Sequence, residues 1–350
     1  MITTFDCITP EGIRTFNSLL EGSHTLTVTT HTHPDGDALG SASALVCHLR
    51  QARGMDAVAV LPDSPSSTVR PIIPDGAPFL FLDTEPEACL ERIRRSDLVI
   101  LLDGNGFSRT EGLQAAFEAS GARKVLIDHH LNPEKDSFGL VFSTPDISSA
   151  SELLFFVLME LPEVGGDAAR LPADTARALM TGMTTDTNNF ANSVFPSTFQ
   201  MASELIAAGV DRDALIGKIY QSYRENRVRL MGYMQSEELH ILDNGTAYMV
   251  LTRDIQERFD MRDGESEGLV NVPLTIEKVR LSVLLKEDDG HFRVSVRSKK
   301  GTSAQQLAQR FFHGGGHENA AGGKMLIGED IPSADAAPAC LEQVLKDYLK

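Results

Sequence analysis

Tryptophan is absent from the 350 residues, tyrosine occurs only five times, and aromatic residues make up 6% of the chain. Stacking platforms of the kind that line long single-stranded nucleic-acid grooves are therefore scarce. Most phenylalanines are expected to pack in cores, with Phe107 and Phe190 as candidates for stacking on a base. Basic residues are also in short supply: 32 Lys+Arg face 49 Asp+Glu, a formal charge of −17. A surface of that sign cannot replace the counterions of duplex DNA, which is excluded as a general partner. A small anionic substrate would need local positive charge, and metal ions can supply it. The four cysteines (Cys7, Cys47, Cys89, Cys340) have no CxxC spacing, which argues against a zinc knuckle or a disulfide framework. The longest apolar run, Leu153–Met159, is far too short to cross a bilayer. The first ten residues, MITTFDCITP, offer neither the basic nor the apolar region of a secretory signal. The expectation is a cytoplasmic protein with no membrane partner.

What is present is ordinary globular material, 42% hydrophobic and 23% charged, in a length that suggests two domains. The first half alternates short apolar runs with helical patterns. Leu26–Thr30, Asp56–Pro62, Leu98–Asp103 and Lys124–Asp128 read as strands, with helical stretches at Glu87–Ile93 and Glu111–Ala119. Strands separated by helices predict an α/β fold with a parallel sheet covered on both faces. From Thr175 to about Ser236 the pattern is helical. Beyond it, Leu239–Leu242, Thr246–Leu251, Val279–Leu285 and Phe292–Ser298 read as strands, Asn244-Gly245 as a hairpin turn, and Ser303–Phe312 and Ala337–Leu349 as helices. The expected division is residues 1–222, a helical linker over 223–237, and a smaller α/β domain over 238–350.

Chemistry-bearing residues gather at the predicted strand ends. HTHPDGDALGS, His31 to Ser41, follows the first strand and precedes a helix, presenting His31, Asp35 and Asp37 on a turn at the edge where open α/β sheets bind ligands. Two carboxylates one glycine apart can splay to address two cations, and would raise each other's pKa without them. Asp103 ends LVILLD, and Asp128, His129 and His130 follow KVLI. Asp186, in TGMTTDTNNF, is a fourth candidate, and an Asx-turn or helix cap is its simpler reading. In RFFHGGGHENAAGG (Arg310–Gly323), consecutive glycines allow close backbone approach to an anion, and a helix is expected to start after them and add its positive end. Carboxylates with imidazoles and no thiolates suit a borderline-hard divalent cation.

The HxxPDGDALGS segment, the lone strand-end Asp103, DHH, the TDT segment and GGGHENAAGG occur in the order found in the DHH family of phosphoesterases. The chain resembles most its NrnA-type branch of nanoRNases and phosphoadenosine-phosphate (pAp) phosphatases. The resemblance implies a metal-binding catalytic domain followed by a DHH-associated substrate-binding domain. It implies two divalent ions, Mn2+ first, with Mg2+ or Co2+ as substitutes: one held by His31, Asp35 and Asp103, the other by Asp37, Asp103, His129 and Asp186. Asp103 bridges, and Asp103 and His130 take catalytic parts. Arg109, His130, Arg297, Ser298, Gly315, Gly316 and His317 would bind substrate, leaving Lys299 and Lys300 solvated. The activity implied is hydrolysis of short RNA, a few nucleotides long, and of 3′-phosphoadenosine 5′-phosphate, a nucleotide bisphosphate, by a two-metal-activated hydroxide. The family's rival activities are cyclic-dinucleotide or linear-dinucleotide hydrolysis, exopolyphosphatase and single-strand exonuclease action, and a non-catalytic nucleotide-binding module is the alternative outside enzymology. A homodimer is compatible with all of these. His33, Asn188 and Ala191 depart from the commoner residues of the pattern, Asn188 standing where glycine is frequent.

Overall fold

The computed structural model describes residues 5–316 and 318–349 and divides into two compact units, residues 1–222 and 223–350.

In the first unit six strands form one parallel sheet: β1 (Thr25–Thr29), β2 (Asp56–Leu61), β3 (Phe79–Phe81), β4 (Leu98–Leu102), β5 (Arg123–Asp128) and β6 (Leu140–Ser143), in the spatial order β3-β2-β1-β4-β5-β6. The register pairs Val28 with Ile100 and Ile100 with Val125. β4 is buried at every position, as a strand covered on both faces must be. The order reverses between β1 and β4, which opens a crevice at their carboxyl ends. Eight helices accompany the sheet among the described residues: α1 (Pro10–Glu21), α2 (Gly36–Arg53), α3 (Pro86–Arg95), α4 (Gln114–Ala119), α5 (Ala150–Met159), α6 (Ala173–Asp186), α7 (Pro196–Ala207) and α8 (Arg212–Tyr220). α2 starts on the Asp35 side chain as N-cap and stops at Gly54, whose φ of 63° suits glycine. Its residues are buried all round from Gly36 to Leu49, and α5 is buried along its whole length. One face of the sheet packs with them in a core including Leu39, Leu45, Ile100, Ile127, Leu154 and Leu179, and the other face packs Val99, Leu101 and Leu126 against Phe107, Phe117 and Phe138.

The second unit begins with α9 (Glu225–Ser236). Its stretch was expected to be a linker, but Leu230 and Met234 are buried against Met249, Leu251 and Leu284, so the helix belongs to the core of this unit. A mixed sheet follows: β7 (His240–Ile241), β8 (Thr246–Leu251), β9 (Leu281–Asp288), β10 (His291–Ser298), β11 (Gly315–Gly316) and β12 (Ala320–Leu326), in the order β11-β12-β10-β9-β8-β7. α10 (Arg253–Arg258) follows β8, while α11 (Ala304–Phe311) and α12 (Ala337–Tyr348) bury Leu307, Leu341 and Leu345 against Val283, Val294 and Phe292. The glycine cluster does not lead into a helix. Gly315 and Gly316 pair with Gly322 and Ala321 across an antiparallel hairpin. A Cβ on Gly314 would lie 1.9 Å from the Gly322 carbonyl oxygen, so the glycines let two strands approach one another.

Candidate metal centre

Each candidate ligand in the first unit is delivered by the end of an element. The chain leaving β1 turns through His31 into the N-terminus of α2, where Asp35 Oδ1 accepts hydrogen bonds from Asp37 N (3.0 Å) and Ala38 N (3.1 Å). That cap points Asp35 toward solvent, while Asp37, two residues on, is 1% exposed. Asp37 Oδ2 and Oδ1 accept from the Ala150 and Ser151 amides at 2.7 and 3.0 Å, so the start of α5 fixes the plane of its carboxylate. Asp103 follows β4 with a φ of 52°, an uncommon conformation for a residue with a side chain, while its amide still bonds to Ile127 O. Backbone strain of this kind persists where the surroundings hold a side chain in place for use.

The side chains converge on Asp103. His31 Nε2 lies 3.3 Å from Asp103 Oδ2, and His129 Nε2 lies 3.3 Å from Asp103 Oδ1. His31 Nε2 is also 4.0 Å from Asp35, and His129 Nε2 is 3.7 Å from Asp186, the last residue of α6. Donor atoms of His31, Asp35 and Asp103 form one group within 4.8 Å, those of Asp37, His129 and Asp186 a second, and those of Asp103, His129 and His130 a third. The two oxygens of Asp103 thus face different groups. The His31 ring is oriented by Nδ1, 2.7 Å from Thr32 O, which places its proton on Nδ1 and turns Nε2 toward Asp103. His130 Nδ1 is held 2.7 Å from the fully buried Asp128 and lies 3.7 Å from Asp103.

The electrostatics of this cluster call for a cation. Burial and the charge of Asp103 push the Asp37 carboxyl up, and burial and the charge of Asp37 push Asp186 well above the usual carboxylate range. Burial also opposes ionisation of Asp103, His31 and His129, but hydrogen bonds and charge between them win: Asp103 is held well below the ordinary range, and the pKa of His31 rises to about 9 and that of His129 to about 10. Protons thus do in part what a divalent ion does more completely, neutralising four carboxylates crowded around a few imidazoles. All the donors are oxygen or imidazole nitrogen, which fits a hard to borderline divalent ion.

The close approach of α2 and α6 brings Asp37 and Asp186 together, and glycines permit it. A Cβ on Gly40 would lie 2.7 Å from the Gly182 backbone, and one on Gly182 would meet Ser151 Oγ at 2.0 Å and Asp37 Oδ1 at 2.8 Å. Sequence reasoning did not single out Gly182 or the Ala150 and Ser151 amides. The SASE stretch, Ser149–Glu152, is a capping-box pattern that would have marked the start of α5. Arg109 sits on a 3-10 turn whose backbone oxygen accepts from Thr32 N (2.8 Å), beside the His31 turn, and among the described residues its guanidinium has no carboxylate partner. Phe107 is no stacking surface: it is 1% exposed and stacks on Phe117 and Phe138 in the core. Phe190 is half-buried, with its ring 5.4 Å from that of Phe199.

Within the second unit, burial lowers the pKa of Arg297, whose Nη1 donates to Val296 O (3.0 Å) and whose guanidinium meets no carboxylate among the described residues. Ser298 is placed differently from the expectation of a phosphate contact. Its hydroxyl donates to Thr302 O (2.6 Å) and accepts from Asn319 Nδ2 (2.9 Å), so it pins the turn after β10. Lys299, expected to be solvated, is half-buried, and its Nζ donates to Ile276 O and Glu277 O. Gly315, unlike its neighbours, has open space where a Cβ would point. His317 lies outside the described residues.

Known proteins bear on this arrangement. Residues 25–183 match the N-terminal domain of the DHH family, and residues 245–346 match the DHHA1 domain. A probable bifunctional oligoribonuclease and PAP phosphatase NrnA of Streptococcus mutans is 29% identical, over 89% of this chain and 93% of that protein. The bifunctional oligoribonuclease and PAP phosphatase NrnA of Bacillus subtilis is 28% identical over 93% of this chain and 96% of that one. A crystal structure of an exopolyphosphatase-related protein from Bacteroides fragilis superposes with a TM-score of 0.89 at 33% identity, covering 99% of this chain and 98% of that chain. With strand-end carboxylates and imidazoles in the first unit and a glycine hairpin in the second, this chain belongs to the DHH family, a DHH domain followed by a DHHA1 domain.

Proposed function

We propose that the protein is a cytoplasmic, divalent-metal-dependent phosphoesterase that hydrolyses very short RNA and removes a phosphate from 3′-phosphoadenosine 5′-phosphate, with Mn2+ as its preferred ion. The observation that carries this reading is Asp103, whose two oxygens face His31 on one side and His129 on the other. His31, Asp35 and Asp103 would hold one ion, and Asp37, Asp103, His129 and Asp186 the other. Bound there, a pair of divalent ions supplies Lewis acidity to the phosphoryl group and a source of nucleophile at neutral pH. The relatives named for oligoribonuclease and PAP phosphatase activity, matched nearly end to end, support the choice of substrate.

The chain's own groups supply the rest. Asp128 accepts from His130 Nδ1 and orients the ring, and His130 is the imidazole that would exchange a proton with a phosphoryl or leaving-group oxygen. Arg109, without a carboxylate partner among the described residues, pairs with a phosphate oxygen. In the second unit the guanidinium of Arg297 takes a terminal phosphate, and the open backbone at Gly315 lets a ligand approach closely. No helix among the described residues is long and apolar enough to cross a membrane.

The test is a substrate panel (dinucleotide RNA, 3′-phosphoadenosine 5′-phosphate, cyclic di-AMP, polyphosphate, pyrophosphate and single-stranded DNA) assayed with the metal-stripped protein and after adding Mn2+, Mg2+ or Co2+. Turnover of dinucleotide RNA and the bisphosphate, restored best by Mn2+, is expected. Cleavage of polyphosphate or pyrophosphate alone would overturn the proposal.

A further inference from the structure

Glu152, in the first turn of α5, is fully buried and makes no contact with the candidate ligands in any ion pair described above. Its Oε2 alone collects the donors around it: Ser148 N at 3.2 Å, the Ser148 hydroxyl, and Thr198 Oγ1 at 2.8 Å. Thr198 Oγ1 in turn accepts from Phe195 N (3.0 Å) at the start of α7, and Glu152 N donates to Ser149 Oγ (3.0 Å). The other oxygen, Oε1, is buried with no hydrogen-bond partner among the described residues. Burying a carboxylate with one oxygen unsatisfied is costly, and capping a helix does not require it, since Ser149 already caps α5.

The arrangement makes sense through the amides that follow. Ser148, pinned by the Glu152 side chain, and Ser149, whose hydroxyl accepts from the Glu152 amide, immediately precede Ala150 and Ser151, the two amides that grip both oxygens of Asp37. Asp37 and Glu152 therefore bind neighbouring amides of one short backbone segment. We propose that Glu152 is a positioning residue for Asp37: by clamping Ser148 and Thr198 to the start of α5, it holds the Ala150 and Ser151 amides where they orient the Asp37 carboxylate toward His129 and Asp186. The inference rests on the reading of Asp37 as a metal ligand and extends it to a residue that touches no ion.

Only Oε2 is used, so an amide with its oxygen in that place preserves the clamp, whereas a methyl abolishes it. The experiment titrates Mn2+ into the metal-stripped full-length protein by calorimetry, for wild type, Glu152→Gln, Glu152→Ala and Asp37→Asn. Glu152→Ala is expected to weaken one of the two ions by about 10–100-fold, the usual cost of losing an outer partner of a metal ligand, and to leave the other within about twofold. Glu152→Gln is expected to stay within about threefold of wild type at both. Unchanged affinity in Glu152→Ala, or an equal loss in Glu152→Gln, would overturn the inference, because a purely structural role moves the melting temperature and not one ion selectively. Should Glu152→Ala not fold, the double variant Ser148→Ala/Thr198→Val strips both hydroxyl donors, leaves the Ser148 amide in place and keeps the carboxylate. It should weaken the same ion at least about fivefold, and wild-type affinity there would also overturn the inference. Asp37→Asn separates the two levels. If it still binds two ions as wild type does, the metal-centre reading itself fails. If it loses an ion while Glu152→Ala loses none, only the role of Glu152 fails.

Discussion

Asp103 concentrates the chemistry of the molecule in one side chain. It is 2% exposed, holds a left-handed backbone conformation, and offers one oxygen to His31 and the other to His129. Two consequences separate it from the other acids. Because the proposed centre shares it between both ions, Asp103→Asn should weaken both in a Mn2+ titration, while Asp35→Asn should weaken only the one beside His31. Turnover of dinucleotide RNA by Asp103→Asn should fall by at least about 10³-fold, since charge stabilisation at both ions is lost together. The second consequence appears in the metal-stripped protein. The raised pKa values of His31 and His129, about 9 and about 10, come from Asp103 overcoming burial. Removing that charge leaves desolvation, which favours neutral imidazole, opposed only by Asp35 and Thr32 at His31 and by Asp186 and Asp37 at His129, so both should move down in Asp103→Asn when followed by NMR. Histidines that titrate as in wild type would mean that Asp103 does not govern them. Much of this cluster was legible in the sequence, because a short acidic or imidazole side chain just past a buried strand is carried to the sheet edge by the strand itself. The departures were of another kind. Ser298 has the residue type of a phosphate ligand, but Asn319, 21 positions on, captures its hydroxyl, and only the tertiary path of the chain reveals that.

At the scale of elements, the long parallel strands and amphipathic helices were readable from periodicity, whereas β3 and β6, three and four residues long, present too few positions for a pattern. The glycine-rich segment shows how a local pattern can mislead. Small residues after a triple glycine fit a helix start, yet Ala320–Leu326 pairs along β10 through seven residues, and this long-range pairing outweighs the local preference. The hairpin assigns its three glycines different tasks. At Gly314 a methyl group would sit 1.9 Å from a carbonyl oxygen, and at Gly316, with φ 141°, 2.6 Å from another. At Gly315 it would point into open space. Gly314→Ala and Gly316→Ala should therefore each destabilise the protein by about 1–3 kcal/mol in denaturant unfolding, the range for overpacking. Gly315→Ala should unfold like wild type and instead raise KM for dinucleotide RNA, because its methyl would occupy the space that the proposed function gives to ligand. A Gly315→Ala protein with normal KM would show that substrate does not approach the hairpin there.

For the whole molecule, the charge balance predicts which lengths of RNA the proposed activity would accept. The chain carries −17 overall, and the groups proposed to meet phosphate (Arg109, His130, Arg297 and the bound ions) are few. In the proposed complex a dinucleotide would present its phosphate where bound cations neutralise the acids, and little of it would remain to be repelled. A strand of about twenty nucleotides, longer than an ordinary single-strand binding site, leaves most of its phosphates over a net acidic surface. That repulsion is long-ranged at low salt, where the screening length is about 30 Å at 0.01 M, and weak at 0.15 M, where it is about 8 Å. Proteins that bind nucleic acid on a basic track lose affinity as salt rises, because counterion release is their driving force. Here the sign should reverse for the longer substrate. The ratio of kcat/KM for a 20-nucleotide RNA to that for a dinucleotide, measured at fixed Mn2+, should rise several-fold between these two salt concentrations. A ratio that falls with salt would reveal a basic track for the distal phosphates, and the proposed preference for very short RNA would then need a steric cause in place of an electrostatic one.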